Sequence, residues 1–381
     1  MILSISKRSP FTLCFFALIL VLTSACTEKK IEENQSSFTD KQLGQMLVIG
    51  FKGTSVHAES PIVQDIKQRN IGGMILYDYD HLADSSGRNI KSPDQLLKLN
   101  SALVGYSLNP PIIAIEQDGS DASPLYSLYP EWEKIFGKSK LPDSSEIVEI
   151  SRKFAQEFMV VGLNTNLHPR LDLKNPNRNT LNPGLISSDP ERVVKVSNII
   201  LNEYDTEKLL SVPKYFPGYS PEYLPSDSTN DVSDIWRSDF LIPYKRLFSS
   251  RTIRAIQTSH SMNTNLDTSW PGTFSSKTIN DLLRDSLGFS GVVFSDDLQK
   301  PIITTQYDLE TSIEKSINAG VDILVFGNNF EYDVDIASKA IAVIQKLLSE
   351  GKIKPETIEA SLARIDQLKQ DVIAELCTCL N

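Results

Sequence analysis

Side chains that can do chemistry collect at the ends of the apolar segments of this chain. These positions hold Glu116, Asp118, His168, Arg170, Lys214, Tyr215, His260, Asp296 and Asp297. The set is rich in carboxylates, which can act as nucleophiles or exchange protons. The two histidines are far apart in sequence, and isolated histidines are more often structural. We therefore predict neither a metal site nor a cofactor.

The loop after one apolar segment raises a question about activity. The stretch "VPKYFPGYSPEYLPSDSTND" runs from Val212 to Asp231 and begins like the end of a buried strand. It contains a lysine and several acids but no histidine. No histidine lies anywhere between His168 and His260. The loop therefore belongs either to a working enzyme or to one that has lost a catalytic group.

Short apolar runs bounded by Gly, Pro or Asp alternate with amphipathic segments. Continuous apolar strands of this kind suit a parallel sheet that is buried on both faces. We predict an α/β fold, a single-domain (β/α)8 TIM-type barrel. A doubly wound open sheet is the alternative, but no Gly-rich phosphate turn follows the first strand. The predicted strands lie within Gln45–Phe51, Gly72–Tyr77, Pro110–Gln117, Gly162–Pro169, Leu209–Phe216, Ile253–His260, Gly291–Asp297 and Val321–Gly327.

Helix signals fill the intervals between these strands. "SDPERVVKVSNIILNEY" has a capping box from Ser188 to Glu191, with Pro190 in the first turn. "SIEKSINAG" ends on Gly320, a common helix stop. "ASLARIDQLKQ" reads as a closing amphipathic helix. In a barrel, the polar residues at the strand ends would meet at one face.

Composition restricts the class of partner. The 381 residues carry a net charge of -10, with 40% hydrophobic and 23% charged residues. These values are ordinary for a globular chain, and the negative charge argues against a general nucleic-acid surface. We expect a monomer.

The N-terminus reads as an export signal. Lys7 and Arg8 precede the apolar run "FTLCFFALILVL" and then "TSAC". A cysteine after small residues resembles a bacterial lipobox, which predicts Cys26 as a lipidated residue anchored in the cell envelope, at the periplasmic face or outer membrane. Thr23 stands where lipoboxes usually have Leu, so an ordinary signal peptide is the alternative. Cys377 and Cys379 form a metal or redox pair or, as we favour, part of a frayed tail.

Several of these segments resemble glycoside hydrolase family 3, in its single-barrel β-N-acetylglucosaminidase (β-hexosaminidase) branch. The resemblance runs from about Lys41 to Lys369 and includes "KQLGQMLVIGFKGT", "IGGMILY", "PPIIAIEQDG" and "GLNTNLHPRLDL". The most specific stretch is "FSSKTINDLLRDSLGFSGVVFSDDL". The N-terminal pattern and this resemblance together divide the chain into a signal (1–25), a tether (26–38), a family 3 barrel (39–372) and a tail (373–381).

The resemblance implies roles for individual residues. Asp296 matches the nucleophile of a retaining glycosidase, which forms a glycosyl-enzyme while an acid protonates the leaving oxygen. Glu116 and Lys214 match positions that hold the sugar, and Tyr215 and His260 are further candidates for binding it. The expected substrate is a β-linked amino sugar, for example in peptidoglycan fragments.

The acid/base group departs from the family pattern. The branch has Lys-His-Phe-Pro-Gly-His-Gly followed by Asp-Ser-His, and this chain has "KYFPGYS" followed by "SDST". Tyr215 and Tyr219 replace the first two histidines, and Thr229 stands in place of the catalytic one. Asp227 stands at the position of its partner and is the candidate acid/base. Glu222 is a weaker candidate, and Tyr219 or Tyr223 is poorly matched in pKa. Two hypotheses follow: an exported glycosidase with an altered acid, or a weak or inactive barrel that binds envelope glycans or acts as a scaffold.

Overall fold

The computed structural model describes residues 38–118, 123–129, 142–174, 184–218, 231–250 and 253–373. Within these ranges, eight parallel strands form the centre of the molecule. They are β1 (Leu47–Gly50), β2 (Gly73–Ile75), β3 (Ile112–Ile115), β4 (Thr165–Asn166), β5 (Leu210–Ser211), β6 (Ala255–Gln257), β7 (Val292–Phe294) and β8 (Leu324–Phe326). Each lies inside one of the predicted segments.

The strand order closes the sheet on itself. Strands β8, β1, β2, β3, β4 and β5 pair in that order, and β6 pairs with β7. Parallel bridges join Phe216 to Thr258, after β5 and β6, and Phe294 to Ile323, between β7 and β8. The result is the predicted (β/α)8 barrel, and the open doubly wound alternative is wrong.

Helices before, between and after the strands surround the barrel. The longer ones are Pro93–Tyr106, Ser144–Val160, Pro190–Thr206, Ile242–Ser250, Leu309–Ala319, Ile336–Ser349 and Pro355–Leu368. Shorter α-helices are Asp40–Leu43, Pro61–Gln64 and Pro301–Thr304. Turns of 3₁₀-helix cover Gly44–Met46, Pro124–Ser127, Ser238–Leu241 and Gly272–Phe274, and π-helical segments cover Asp65–Arg69, Lys277–Ser286 and Lys369–Ile373. A two-stranded antiparallel hairpin, Tyr79–Asp80 with Ser85–Ser86, follows β2.

Two predicted helix ends can be compared with the structure. The predicted stop at Gly320 is confirmed, because Gly320 follows the helix Leu309–Ala319 with φ 103°. The predicted capping box at Ser188 is wrong: the helix Pro190–Thr206 is capped by Asp189, whose side chain accepts the Glu191 N–H. The N-cap is therefore one residue later, next to the first-turn proline.

Ion pairs and charged hydrogen bonds hold the helices to the starts of the strands. The fully buried Asp322 accepts hydrogen bonds from Arg284 and Arg364, at 2.9 and 2.7 Å. Lys369 donates to the Gln45 side chain and to the Gly72 carbonyl, both at 2.8 Å. These contacts fix the end of the barrel opposite the site described below. Among the helices of the described ranges, none combines the length and apolar character needed to cross a bilayer.

Candidate active site

Asp296 lies two residues after the end of β7 and is buried, with 3% of its surface exposed. Its Oδ1 accepts the backbone N–H of Asp297 at 2.8 Å. Its Oδ2 lies 2.9 Å from Nζ of Lys300. A backbone donor and an ammonium therefore hold the carboxylate in one orientation at the carboxyl end of the barrel, where barrel enzymes place their chemistry.

Glu116 and Lys214 come from two different strands and form an ion pair. Glu116 follows β3 and Lys214 follows β5, and Lys214 Nζ is 3.1 Å from Glu116 Oε1. The Lys214 side chain is 4% exposed and the Glu116 side chain 33%. The glutamate thus keeps access to a bound molecule while neutralising the lysine beneath it.

Tyr215 lies fully buried among three cations. The Lys214 ammonium, the Arg170 guanidinium carbon and the Lys300 ammonium are 4.8, 5.2 and 5.7 Å from its ring centre. An aromatic face attracts cations at such distances. The ring therefore connects the Glu116–Lys214 pair to the Asp296–Lys300 pair.

His260 is held by protein atoms on both ring nitrogens. Its Nδ1 is 2.9 Å from Thr273 Oγ1, and its Nε2 is 2.9 Å from the Asp297 carbonyl oxygen. Burial lowers the pKa of the imidazole, which outweighs the opposite effect of the nearby Asp296 charge. A neutral His260 supports the loop that carries Asp296.

Asp297 has a different environment from its neighbour. Burial raises its pKa to about 6, although the N–H groups of Gln299 and Gly327 donate to Oδ1. Its Oδ2 has no hydrogen-bond partner among the described residues. Burial, and then the charge of Asp297, raise the pKa of the Tyr77 hydroxyl well above its usual value. Tyr77 thus stays a neutral hydroxyl beside the two aspartates.

The remaining strand-end residues are mainly structural. Arg170 pairs with Asp172 at 3.0 Å, and both side chains are buried. Burial lowers the pKa of His168 to about 3, so its ring is neutral near pH 7. The Asp118 carboxylate accepts a hydrogen bond from the Ser123 hydroxyl at 2.6 Å. Arg170 also forms a backbone bridge to Lys214, which places the Arg170–Asp172 pair beside the site.

The structure brings together Asp296, Glu116, Lys214 and Tyr215, with His260 behind Asp297. Asp227, Glu222, Tyr219, Tyr223, Thr229, Cys26, Cys377 and Cys379 lie outside the described residues. Lys300 is the residue that sequence reasoning missed. Its only signal is the four-residue spacing from Asp296, which in a loop does not predict contact. In the described ranges, no three His, Cys, Asp or Glu side chains are arranged to hold a metal ion.

A cavity of about 300 Å³ lies at the other end of the barrel, beside the first residues of β5 and β6. Its lining includes Asp205, Lys208, Arg254 and Asp371. Stability rather than chemistry is the usual role of that face in barrels of this kind. The candidate site is therefore the group of carboxylates at the carboxyl end of the barrel and not this cavity.

A closed parallel barrel with buried carboxylates and lysines at its carboxyl end defines the class of protein: a (β/α)8 barrel with an acid-rich site. The model of the glycosyl hydrolase family 3 N terminal domain matches residues 38–368. The chain belongs to glycoside hydrolase family 3. The β-hexosaminidase relatives confirm the predicted family and branch.

The curated relatives are distant in sequence. A β-hexosaminidase of Pseudomonas aeruginosa is 26% identical over 309 residues, which cover 79% of this chain and 86% of the relative. β-Hexosaminidase A of Pseudoalteromonas piscicida is 24% identical over 375 residues, covering 87% of this chain. The match spans 61% of that relative's length.

Solved structures agree on the fold. A family 3 β-N-acetylglucosaminidase from a Paenibacillus species has a TM-score of 0.74 at 23% identity, over 89% of this chain and 64% of that one. A β-N-acetylhexosaminidase from Beutenbergia cavernae has a TM-score of 0.70 at 20% identity, over 88% and 99%. At these identities the likeness establishes the barrel alone.

Proposed function

We propose that the protein is a retaining glycoside hydrolase of β-linked N-acetylhexosaminides, with Asp296 as its nucleophile. The observation that carries this proposal is the Asp296 carboxylate, buried after β7 and oriented by the Asp297 N–H and the Lys300 ammonium. The β-hexosaminidase relatives support the substrate class. Amino-sugar glycans such as peptidoglycan fragments are the proposed natural substrates.

The proposed reaction has two displacements. A carboxylate oxygen of Asp296 bonds to the anomeric carbon while the bond to the leaving oxygen breaks, which gives a glycosyl ester. Water then attacks the same carbon and returns the electron pair to Asp296. Glu116 and Lys214, joined at 3.1 Å, are the proposed contacts to sugar hydroxyls.

Asp227 is the proposed acid/base, and it lies outside the described residues. A carboxylic acid fills this role in most glycosidases, which requires a pKa raised towards neutrality. In a retaining site the two carboxyl groups are about 5–5.5 Å apart. An experimental structure with a bound inhibitor measures this separation. An Asp227 carboxyl well beyond that range would remove the residue from the mechanism.

The test uses two substrates with different demands for an acid. A nitrophenyl β-N-acetylglucosaminide needs little protonation of its leaving group, whereas a natural amino-sugar disaccharide needs much more. We expect aryl release that falls by at least about 1,000-fold in Asp296→Asn, because the nucleophile is lost. Asp285→Asn, a change at an exposed carboxylate on the preceding helix, should retain full activity.

The disaccharide distinguishes the two forms of the proposal. General acid catalysis contributes about 10²–10⁴-fold in rate. Hydrolysis of the disaccharide that is lost in Asp227→Asn, with aryl release retained, would identify Asp227 as the acid. Aryl release without disaccharide hydrolysis would mean that no group replaces the missing histidine.

A glycan-binding protein without turnover is the second candidate function. It is favoured by the missing catalytic histidine, since no histidine lies between His168 and His260. In that case the wild type releases no more aryl product than Asp296→Asn across a panel of aryl glycosides. Calorimetric binding of amino-sugar oligosaccharides, reduced by Glu116→Gln, would then establish the binding function.

We also propose that Cys26 carries a lipid that anchors the barrel to the bacterial cell envelope. The apolar run Phe11–Leu22 followed by "TSAC" supports this localisation. The full chain expressed in a Gram-negative host should incorporate a labelled fatty acid, and Cys26→Ser should not. Labelling of Cys26→Ser equal to that of the wild type would contradict the proposal.

A further inference from the structure

Lys300 lies four residues after Asp296, where the loop from β7 enters the short helix Pro301–Thr304. Its Nζ is 2.9 Å from Asp296 Oδ2, in a pair whose side chains are only 20% and 4% exposed. Exposed ion pairs are screened by water, but a pair enclosed to this degree interacts more strongly. The charge of Lys300 therefore acts on whatever state Asp296 adopts.

We infer that Lys300 is a positioning residue that shortens the lifetime of the glycosyl ester on Asp296. This inference rests on the proposed function, because it concerns the second half of the same reaction. Lys300 changes the rate of ester breakdown relative to the rate of ester formation. Neither the resemblance nor the relatives give this residue a role.

The charge of Asp296 changes in each step of the reaction. In the first step a carboxylate oxygen bonds to the anomeric carbon, and the leaving oxygen departs with the electron pair of the broken bond. Asp296 is then a neutral ester, and Lys300 has lost that counter-charge. In the second step water bonds to the carbon, the ester C–O bond breaks, its electron pair restores the carboxylate, and a base or the solvent takes the proton of water.

The ion pair is thus present before and after the ester but absent within it. The charge of Lys300 therefore raises the free energy of the ester relative to both flanking states. In the second transition state negative charge is returning to Asp296, next to the ammonium. The lysine therefore speeds breakdown of the ester and opposes its formation. A charged hydrogen bond of this kind corresponds to a rate effect on the order of tenfold.

Lys300→Met removes the charge and keeps much of the length of the side chain. We expect ester breakdown to slow on the order of tenfold. If breakdown then limits turnover, kcat and KM for an aryl substrate fall together while kcat/KM is held or rises. Lys300→Arg keeps a cation beside Asp296 and should resemble the wild type. Lys277→Met, at an exposed lysine on the preceding helix, is the matched control.

The experiment uses a dinitrophenyl β-N-acetylglucosaminide, whose leaving group needs no acid. The purified full chain is mixed with excess substrate, acid-quenched at intervals and weighed intact by mass spectrometry. Substrate is then removed and the decay of the glycosylated protein is followed. We expect the adduct of Lys300→Met to decay about tenfold more slowly than those of the wild type, Lys300→Arg and Lys277→Met. Thermal unfolding checks that all variants are folded.

The outcomes separate this inference from the proposed function. Adduct decay in Lys300→Met as fast as in the wild type, or turnover with no adduct in either protein, overturns the inference alone. A folded Lys300→Met that loses aryl release without forming adduct also overturns it, because Lys300 is then needed for the first step. A wild type that releases no more product than Asp296→Asn from any aryl glycoside overturns the proposed function and the inference together.

Discussion

Two adjacent aspartates at the end of β7 have opposite electrostatic surroundings. Asp296 has the ammonium of Lys300 at 2.9 Å, whereas Asp297 is held by two backbone N–H groups and is otherwise enclosed. Burial is the largest influence on Asp297 and raises its pKa to about 6. One sequence motif thus supplies a carboxylate paired with an ammonium and a second carboxyl whose pKa is raised by burial.

Asp297 makes the stability of the protein depend on pH. Its pKa is higher in the folded than in the unfolded state, so the folded state binds the proton more tightly and stability falls as pH rises from 4 to 6. Asp297→Asn cannot lose a proton. We expect the unfolding free energy of this variant, relative to the wild type, to rise by about 2–3 kcal/mol between pH 4 and pH 7.

Urea unfolding at several pH values measures this difference. Asp285→Asn, at an exposed position, is the control. Its unfolding free energy should differ from that of the wild type by an amount that varies little between pH 4 and pH 7. Parallel pH profiles for Asp297→Asn and the wild type would show that the Asp297 carboxyl titrates normally.

At the scale of elements, the helix Pro190–Thr206 shows how local chemistry sets a boundary. Ser188 and Asp189 are both residues that cap helices well, and both precede Pro190. Asp189 is the N-cap in the structure, with its carboxylate accepting the Glu191 N–H at 3.0 Å. Its negative charge also lies at the positive end of the helix dipole.

Substitution of the two neighbours tests this assignment. Asp189→Ala should lower the unfolding free energy by about 1 kcal/mol, the usual value of an N-cap. Ser188→Ala should change it by less than about 0.5 kcal/mol, since it removes no cap. Chemical denaturation at neutral pH measures both. A larger loss for Ser188→Ala than for Asp189→Ala would restore the capping box predicted from sequence.

At the scale of the whole molecule, closure of the barrel depends on a close approach between its first and last strands. Leu47 to Ile49 pair with Leu324 to Phe326. At the next position a Cβ on Gly50 would lie 1.9 Å from the Gly327 carbonyl oxygen. Gly50 is therefore required by sterics where β1 meets the residue that follows β8.

Gly50→Ala should destabilise the protein by more than about 3 kcal/mol, because two backbone segments must move apart. Gly105 provides a matched control, since a Cβ there meets nothing within 4 Å. It lies in the helix Pro93–Tyr106, so Gly105→Ala should stabilise by about 0.4–1 kcal/mol. Thermal unfolding of the two variants compares them. Equal midpoints for Gly50→Ala and the wild type would contradict the steric argument.

The barrel itself could be predicted from local pattern. Each strand is a short apolar run bounded by residues that end strands, and burial on both faces makes that signal independent of distant contacts. The position of Asp296 followed from the same strand signal together with the family motif. Glu116 and Lys214 were also predicted at strand ends, because parallel strands deliver their carboxyl ends to one face.

The contacts between these residues were decided only by the tertiary structure. The pairing of Glu116 with Lys214 joins residues from two strands, and strand order in space sets that distance. The Asp296–Lys300 pair depends on the path of a loop, for which no periodicity exists. The sequence by itself therefore determined the family, the barrel and the strand end that carries Asp296, because these are properties of local pattern. The charge partners of each carboxylate are properties of the closed barrel, since only closure brings distant strand ends together.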